Sequence, residues 1–176
     1  DAKVGGQDDV AEYVRVCSAH DALSLDAAED PDHVERLLAA RRLLNPGMRE
    51  YLGASLNDDI SVPRTRLGDI FARIAELSDE IGLPIGTGGH VGDGNLHPVI
   101  AYDPASPAQL EIALAAHERI MAFAVEYGGT VSGEHGIGTE KRSALDIELT
   151  PRVRELQLGL KAVLDPKGIL NPGKKL

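Results

Sequence analysis

The sequence predicts an α+β fold: a small antiparallel sheet with helices packed on one face and further helix at the C-terminal end. Three observations carry this expectation. Apolar residues recur at helical spacing over most of the chain. Strand signals are few and short. A glycine-rich segment at 84–102, closed by Val99-Ile100-Ala101-Tyr102, reads as strand and turn between two helical patterns. A wound parallel sheet would need many buried strands alternating with helices, which this pattern does not offer.

The elements follow in order. Val10, Tyr13, Val14 and Cys17 repeat at helical spacing, so 8–20 is expected as a helix with Cys17 inward. Ala22 to Leu25 reads as a short strand with Leu23 and Leu25 on one face. Asp30-Pro31 is an N-cap with proline at the first helical position. It opens a helix with Val34, Leu37, Leu38 and Arg41 on one face. Ile60-Ser61-Val62-Pro63 alternates as a strand. Leu67, Ile70, Phe71, Ile74, Leu77 and Ile81 form an amphipathic helix, with Gly82 as its C-cap. Ser106-Pro107-Ala108-Gln109 is a capping box that starts a helix through Leu110, Leu114, Met121 and Val125. Thr150-Pro151 caps a last helix carrying Val153, Leu156, Leu160 and Val163.

The chain has 176 residues with 43% apolar and 26% charged, enough for one domain with a core and too apolar for disorder. No apolar run is long enough to span a membrane. The formal charge of −10 argues against non-specific nucleic-acid binding, which needs a basic face. Cys17 is the single cysteine, so no internal disulfide forms, which suits a reducing compartment. With no charged-then-apolar leader, the expected location is the cytoplasm, with partners able to bring the protein to the inner face of a membrane. The opening Asp1-Ala2-Lys3-Val4-Gly5-Gly6 reads as a cut into a loop, so the chain is expected to be a C-terminal piece of something longer.

Chemistry concentrates in two segments. In Gly88-Gly89-His90-Val91-Gly92-Asp93-Gly94-Asn95-Leu96-His97, the four glycines exclude a helix, and Asp93-Gly94 is a two-residue hairpin turn signal. That turn would pair His90 with His97, with Cβ atoms roughly 4.5–5.5 Å apart, close enough for both imidazoles to share a metal ion. The alternative is a plain hairpin with two polar residues on its wet face. In Ser132-Gly133-Glu134-His135-Gly136-Ile137-Gly138, flanking glycines let the backbone approach another group closely. Glu134 would complete a two-histidine, one-carboxylate set with an open coordination position, leaving His135 as a base. The alternative is a glycine-rich surface turn. Arg41, on the apolar stripe of its helix, is either a snorkelling arginine or a bidentate carboxylate ligand. His20, His33 and His117 lie in helical segments and read as structural or solvated.

These residues resemble the C-terminal domain of FAD-linked oxidases of the D-lactate dehydrogenase, glycolate oxidase FAD-subunit and D-2-hydroxyglutarate dehydrogenase type. The resemblance rests on 89–97, on Gly133 to Gly138, and on the ending Asp165-Pro166…Leu170-Asn171-Pro172-Gly173-Lys174, supported by Ile60-Ser61-Val62-Pro63 and Ala40-Arg41-Arg42. It covers nearly the whole chain. It implies a ferredoxin-like cap with extra C-terminal helices, whose first strand would lie just before residue 1. It also implies that 1–176 is a single substrate and metal domain, with FAD held mainly by an N-terminal domain this chain does not include.

Residue by residue, the resemblance implies His90, His97 and Glu134 as ligands of a divalent metal, zinc in some relatives. It implies His135 as the general base, Arg41 as the substrate-carboxylate ligand and Asn171 as a cofactor-side residue. The implied reaction oxidises a D-2-hydroxy acid by hydride transfer to flavin. The implied partners are the small 2-hydroxy acid, the chain's own FAD domain and an electron-acceptor subunit. Relatives that take dicarboxylates carry lysine where this chain has Asn57 and threonine where it has Asn45, so D-lactate or glycolate is the expected substrate type. A stand-alone metal- or ligand-binding module without redox activity is the competing reading. Alone, this chain is expected to turn nothing over.

Overall fold

The computed structural model describes residues 6–28 and 30–175. The chain divides into two units, Asp1–Leu43 and Leu44–Leu176. In the first, α1 (Gly6–Ala19) and α2 (Pro31–Arg42) form as their periodicity predicts. Asp30 caps α2, its carboxylate accepting the His33 N–H at 2.7 Å. Two expectations fail here. Cys17 is exposed, along with Val10, Tyr13 and Val14, and no described residue of this unit is fully buried. Two helices this short do not enclose a core, so apolar spacing produced helix without burial. Residues 22–25 are irregular, with Leu23 fully exposed. Asp21 turns the chain at φ 58 after α1, and among the described residues no strand pairs with 22–25.

The second unit contains α3 (Leu44–Leu52), β1 (Ala54–Asn57), β2 (Ile60–Ser61), α4 (Leu67–Ile81), β3 (Ile85–His90), β4 (Asn95–Tyr102), α5 (Pro107–Glu126), α6 (Leu145–Glu148) and α7 (Pro151–Leu164). β4 is central. β3 pairs with one edge of it, and β1 and β2 pair with the other, all antiparallel. β1 and β2 keep one register, Asn57 opposite Val99 and Ile60 opposite Leu96. They are one strand interrupted at Asp58-Asp59, where the facing residue Pro98 has no N–H to give. The Pro98 carbonyl still accepts the Asp58 N–H at 2.8 Å. Ser61 and Thr130 bridge outside β2 with two backbone bonds, which adds the position of a fourth strand. The order is Thr130, then β1–β2, β4 and β3, with α4 and α5 as the crossovers, as in a ferredoxin-like sheet. The strand that opens this order lies within the chain, at 54–61, rather than ahead of residue 1.

Period-two alternation separates the faces of the sheet. Leu56, Ile60, Leu96 and Ile100 point to α4 and α5, where Ile70, Ile74 and Leu77 meet Ala113, Ile120 and Ala124. Each fully buried isoleucine or leucine contributes about 1.5–3 kcal/mol. Gly82, at φ 67, ends α4, and the Ser78 hydroxyl then links the helix end to the Leu83 carbonyl (2.8 Å) and the Ile85 N–H (3.2 Å). At α5 half of the capping box forms: Ser106 accepts from Gln109 N–H, while the Gln109 side chain turns to Asp103 N–H at 2.8 Å. Thr150 caps α7 as expected, accepting from Val153 N–H at 3.3 Å. The helices are not confined to one face. Met48 and Leu44 of α3 lie over Gly86 and Gly88, on the face opposite α4 and α5.

The hairpin register differs from the two-residue expectation. His90 pairs with Asn95, and Gly88 with His97. The loop is four residues, 91–94, with the His90 carbonyl accepting from Asp93 N–H (3.1 Å) and Gly94 N–H (3.0 Å). Its cause lies in a distant segment. Gly94, at φ 83, donates no side chain because a Cβ there would sit 2.0 Å from the Val62 carbonyl oxygen, while its own carbonyl accepts Val62 N–H at 3.0 Å. The register is displaced by an even number of residues, so both histidines stay on one face.

Candidate active site

That face carries both histidines. His90 ends β3 and His97 lies diagonally across on β4, with ring centroids 5.4 Å apart and planes at 89°. Glu134 and His135 arrive from the loop after Thr130. The Glu134 Oε1 lies 3.3 Å from His97 Nε2, 3.9 Å from His90 Nε2 and 3.8 Å from His135 Nε2. The His135 ring stacks on His97, centroids 5.1 Å apart. His90, His97 and Glu134 each offer a ligand atom, all within 4.8 Å of one another. Ligands about 2.1 Å from a tetrahedral metal lie roughly 3.4 Å apart, so these separations fit a shared ion.

Donor chemistry fits as well: two imidazoles and one carboxylate suit zinc, iron or manganese. Asp59, His97 and His135 form a second group at the same spacing. It shares His97, and the Asp59 carboxylate is already engaged by the loop.

Asp59 was absent from the sequence expectation. It is fully buried. Its Oδ2 accepts from Ser132 Oγ (2.9 Å), Glu134 N–H (3.0 Å) and His135 N–H (2.8 Å). Burial works to raise this carboxyl, but the His135 N–H, the Ser132 hydroxyl, the Glu134 N–H and the nearby Lys141 ammonium together hold it below its ordinary value. Gly133 permits the contact, since a Cβ there would lie 2.2 Å from Asn95 Nδ2 and 2.8 Å from Asp59 Oδ1.

On the opposite face, Lys141 is buried and pairs with Asp58 Oδ1 at 2.6 Å. It also donates to the carbonyls of Asp59 and of Val131, the latter at 2.7 Å. The buried His117 of α5 approaches Asp58 at 3.7 Å. The available signal for all of this was a pair of acids set just ahead of an apolar strand pattern.

Arg41 is exposed in the last turn of α2, in the first unit. Asn171 is exposed at φ 47 in the terminal segment. Asp165 organises that segment, accepting from Lys161 Nζ (2.6 Å), Leu170 N–H (2.9 Å) and Ile169 N–H (3.0 Å). Asn45 and Asn57 line a cleft of about 830 Å³ with Arg49, Glu50 and Tyr102. None of the four convergent site residues lines it, so cleft size does not locate the chemistry. Asn57 also borders a smaller pocket, about 270 Å³, shared with Asp59 and His135.

The chain belongs to the FAD linked oxidases, C-terminal domain, whose family model matches residues 3–175. It is 32% identical over 166 residues to the glycolate oxidase subunit GlcD of Bacillus subtilis, covering 94% of this chain and 35% of that protein. It is 35% identical over 168 residues to the D-lactate dehydrogenase of Archaeoglobus fulgidus, covering 95% and 36%. It is 39% identical over 158 residues to a probable mitochondrial D-lactate dehydrogenase of Danio rerio, covering 85% and 30%. The chain thus spans about a third of the length of these relatives. A solved 4-ethylphenol oxidase from Gulosibacter chungangensis, in complex with isoeugenol, shares the fold at a TM-score of 0.58 and 19% identity, over 96% of this chain and 36% of that one. Among the described residues no helix is long and apolar enough to cross a membrane.

Proposed function

We propose that residues 1–176 act as the substrate and metal domain of an FAD-dependent enzyme that oxidises a D-2-hydroxy acid, of D-lactate or glycolate type, to the 2-oxo acid. The observation that supports this best is the convergence of His90, His97 and His135 on the Glu134 carboxylate, 3.3–3.9 Å from one oxygen. His90, His97 and Glu134 would hold a divalent metal, zinc being the proposed ion. When bound, the metal supplies Lewis acidity for the substrate hydroxyl and carboxylate, and FAD supplies the two-electron acceptor.

The chain's own residues do the rest. His135, stacked on His97 with more than half its side chain exposed, can reach a substrate and take up the hydroxyl proton at Nε2. Arg41 is the proposed carboxylate clamp. Asn171 is the proposed contact toward the flavin, which a preceding domain would mainly hold. Asn57 stands where dicarboxylate relatives carry lysine, and Asn45 where they carry threonine, which favours a small monocarboxylate. An acceptor subunit is the proposed destination of the electrons, in a cytoplasmic enzyme that partners can bring to a membrane.

Two measurements test this. Chelator-stripped chain should bind about one equivalent of zinc, lost in His97→Ala and in Glu134→Ala; absence of zinc binding overturns the metal assignment. The longer protein, with its flavin domain in frame, should reduce a dye with D-lactate or glycolate, and His135→Ala should abolish turnover while retaining zinc. Failure with both acids overturns the substrate class.

A further inference from the structure

We infer that Glu148 is a positioning residue: with Lys141 it grips both sides of the Val131 main chain, and it thereby fixes where the loop of Glu134 and His135 leaves the sheet. The inference deepens the reading above, in which Glu134 is a metal ligand and His135 the base.

Backbone pairing of the sheet stops at Thr130, whose N–H and carbonyl both bond to Ser61. The next residue, Val131, is fully buried, so both of its polar main-chain groups need partners. Among the described residues no strand supplies them. Glu148, the last residue of α6, accepts the Val131 N–H on Oε2 at 2.8 Å. Lys141 donates to the Val131 carbonyl at 2.7 Å. Two side chains from one returning segment thus stand in for a strand ladder at the point where the loop begins.

Glu148 reaches one residue further. Its Oε1 accepts the Thr130 hydroxyl proton at 3.0 Å. A hydroxyl that donates there keeps its lone pairs for the Ser132 N–H, at 3.4 Å. Beyond Ser132 the pattern continues. The Ser132 hydroxyl accepts the Gly136 N–H at 2.8 Å, and Asp59 accepts those of Glu134 and His135. The loop is therefore held by side chains rather than by a neighbouring strand, and Glu148 sets its first two residues. Its carboxylate bonds only to Thr130 and Val131, so it acts on Glu134 and His135 through the main chain.

Glutamine and alanine at this position separate positioning from bulk stability. Glu148→Gln keeps an oxygen for the Val131 N–H, and its NH2 meets a Thr130 hydroxyl that can turn to accept. Glu148→Ala removes both acceptors. Hydrogen exchange of the chelator-stripped protein, read by mass spectrometry, is compared over 131–136 and over 95–101. The alanine variant should exchange 131–136 about tenfold faster and leave 95–101 unchanged. Its zinc affinity should fall about 10–100-fold. The glutamine variant should stay close to wild type in both respects. Thr130→Val removes the hydroxyl link alone and keeps the β-branched shape. It should quicken 132–136 by a smaller factor, and it carries the test should Glu148→Ala not fold.

Unchanged exchange over 131–136 in Glu148→Ala, or over 132–136 in Thr130→Val, overturns the inference. So does faster exchange spread equally over 95–101, which marks general destabilisation. A glutamine variant that behaves as alanine does, or wild-type zinc affinity in a variant whose loop has opened, also overturns it. If the loop responds as expected while the wild type binds no zinc, the metal assignment above falls and the positioning stands.

Discussion

The two faces of the sheet treat neighbouring residues in opposite ways. At one rung Asp58 points toward α5 and is neutralised by Lys141 at 2.6 Å. One residue on, Asp59 points to the other face and is met by main-chain N–H groups and a hydroxyl. Leu96 closes the apolar core, and His97 beside it faces Glu134. Identical side-chain chemistry thus serves packing on one side and a reactive cluster on the other. What decides between them is the alternation of the strand, with the ion pair underneath holding the cluster above.

The largest expected effect is on the packed side. Lys141→Ala leaves Asp58 buried without its cation and unties the Asp59 and Val131 carbonyls. It should cost about 3–5 kcal/mol in a denaturant titration. A loss below 1 kcal/mol would show that Lys141 does not support the far face. The next test compares adjacent residues. Leu96→Ala should cost about 2–5 kcal/mol through the cavity it leaves. His97→Ala should cost less than about 1 kcal/mol yet abolish zinc binding. Equal stability losses would erase the distinction between the faces.

Gly133→Ala comes third. Its Cβ would meet the buried side-chain ends of Asn95 and Asp59. The loop must shift, at about 1–3 kcal/mol, and zinc binding should weaken; unaltered zinc affinity would mean that the loop tolerates displacement.

The smallest effect isolates the purely structural use of such a carboxylate. Asp165 is tied as Asp59 is, but it is not a member of the cluster. The Lys161 hydrogen bond first, then the Leu170 N–H, hold it below its ordinary value against a small burial effect, and the Ile169 N–H adds to this. A depressed folded value means that its contribution is full above 3.8 and is lost as pH falls through the folded value. Amide exchange at Ile169 and Leu170 should therefore stay protected at neutral pH and open on acidification below that range, with Asp165→Asn open throughout. Protection that ignores pH would detach the tail from this carboxylate.

Much of the architecture was legible because its causes are local. Asp30, Ser106 and Thr150 mark helix starts by their own side chains, and the 67–81 stripe states its period outright. The glycine-flanked His and Glu-His segments were singled out on the same local grounds, and their side chains come together on one face of the sheet. The hairpin register was not legible, because it is set by Gly94 against Val62, a contact from another strand. Asp59 was not legible either: its partners lie 73–76 positions away, so nothing nearby distinguishes it from Asp58. Cys17 shows the converse, since helical spacing predicts helix but not what covers it.

The shared register of residues 54–61 against β4 works like a reading frame of two. Inserting or deleting one residue ahead of Asp58 would exchange the roles of the adjacent acids, sending the lysine's partner to the face of the histidines and the loop's anchor into the core. A change of two would preserve every orientation. Length in this strand is therefore under a parity constraint that substitution alone would never reveal, and descendants of this sequence can vary its letters far more freely than its count.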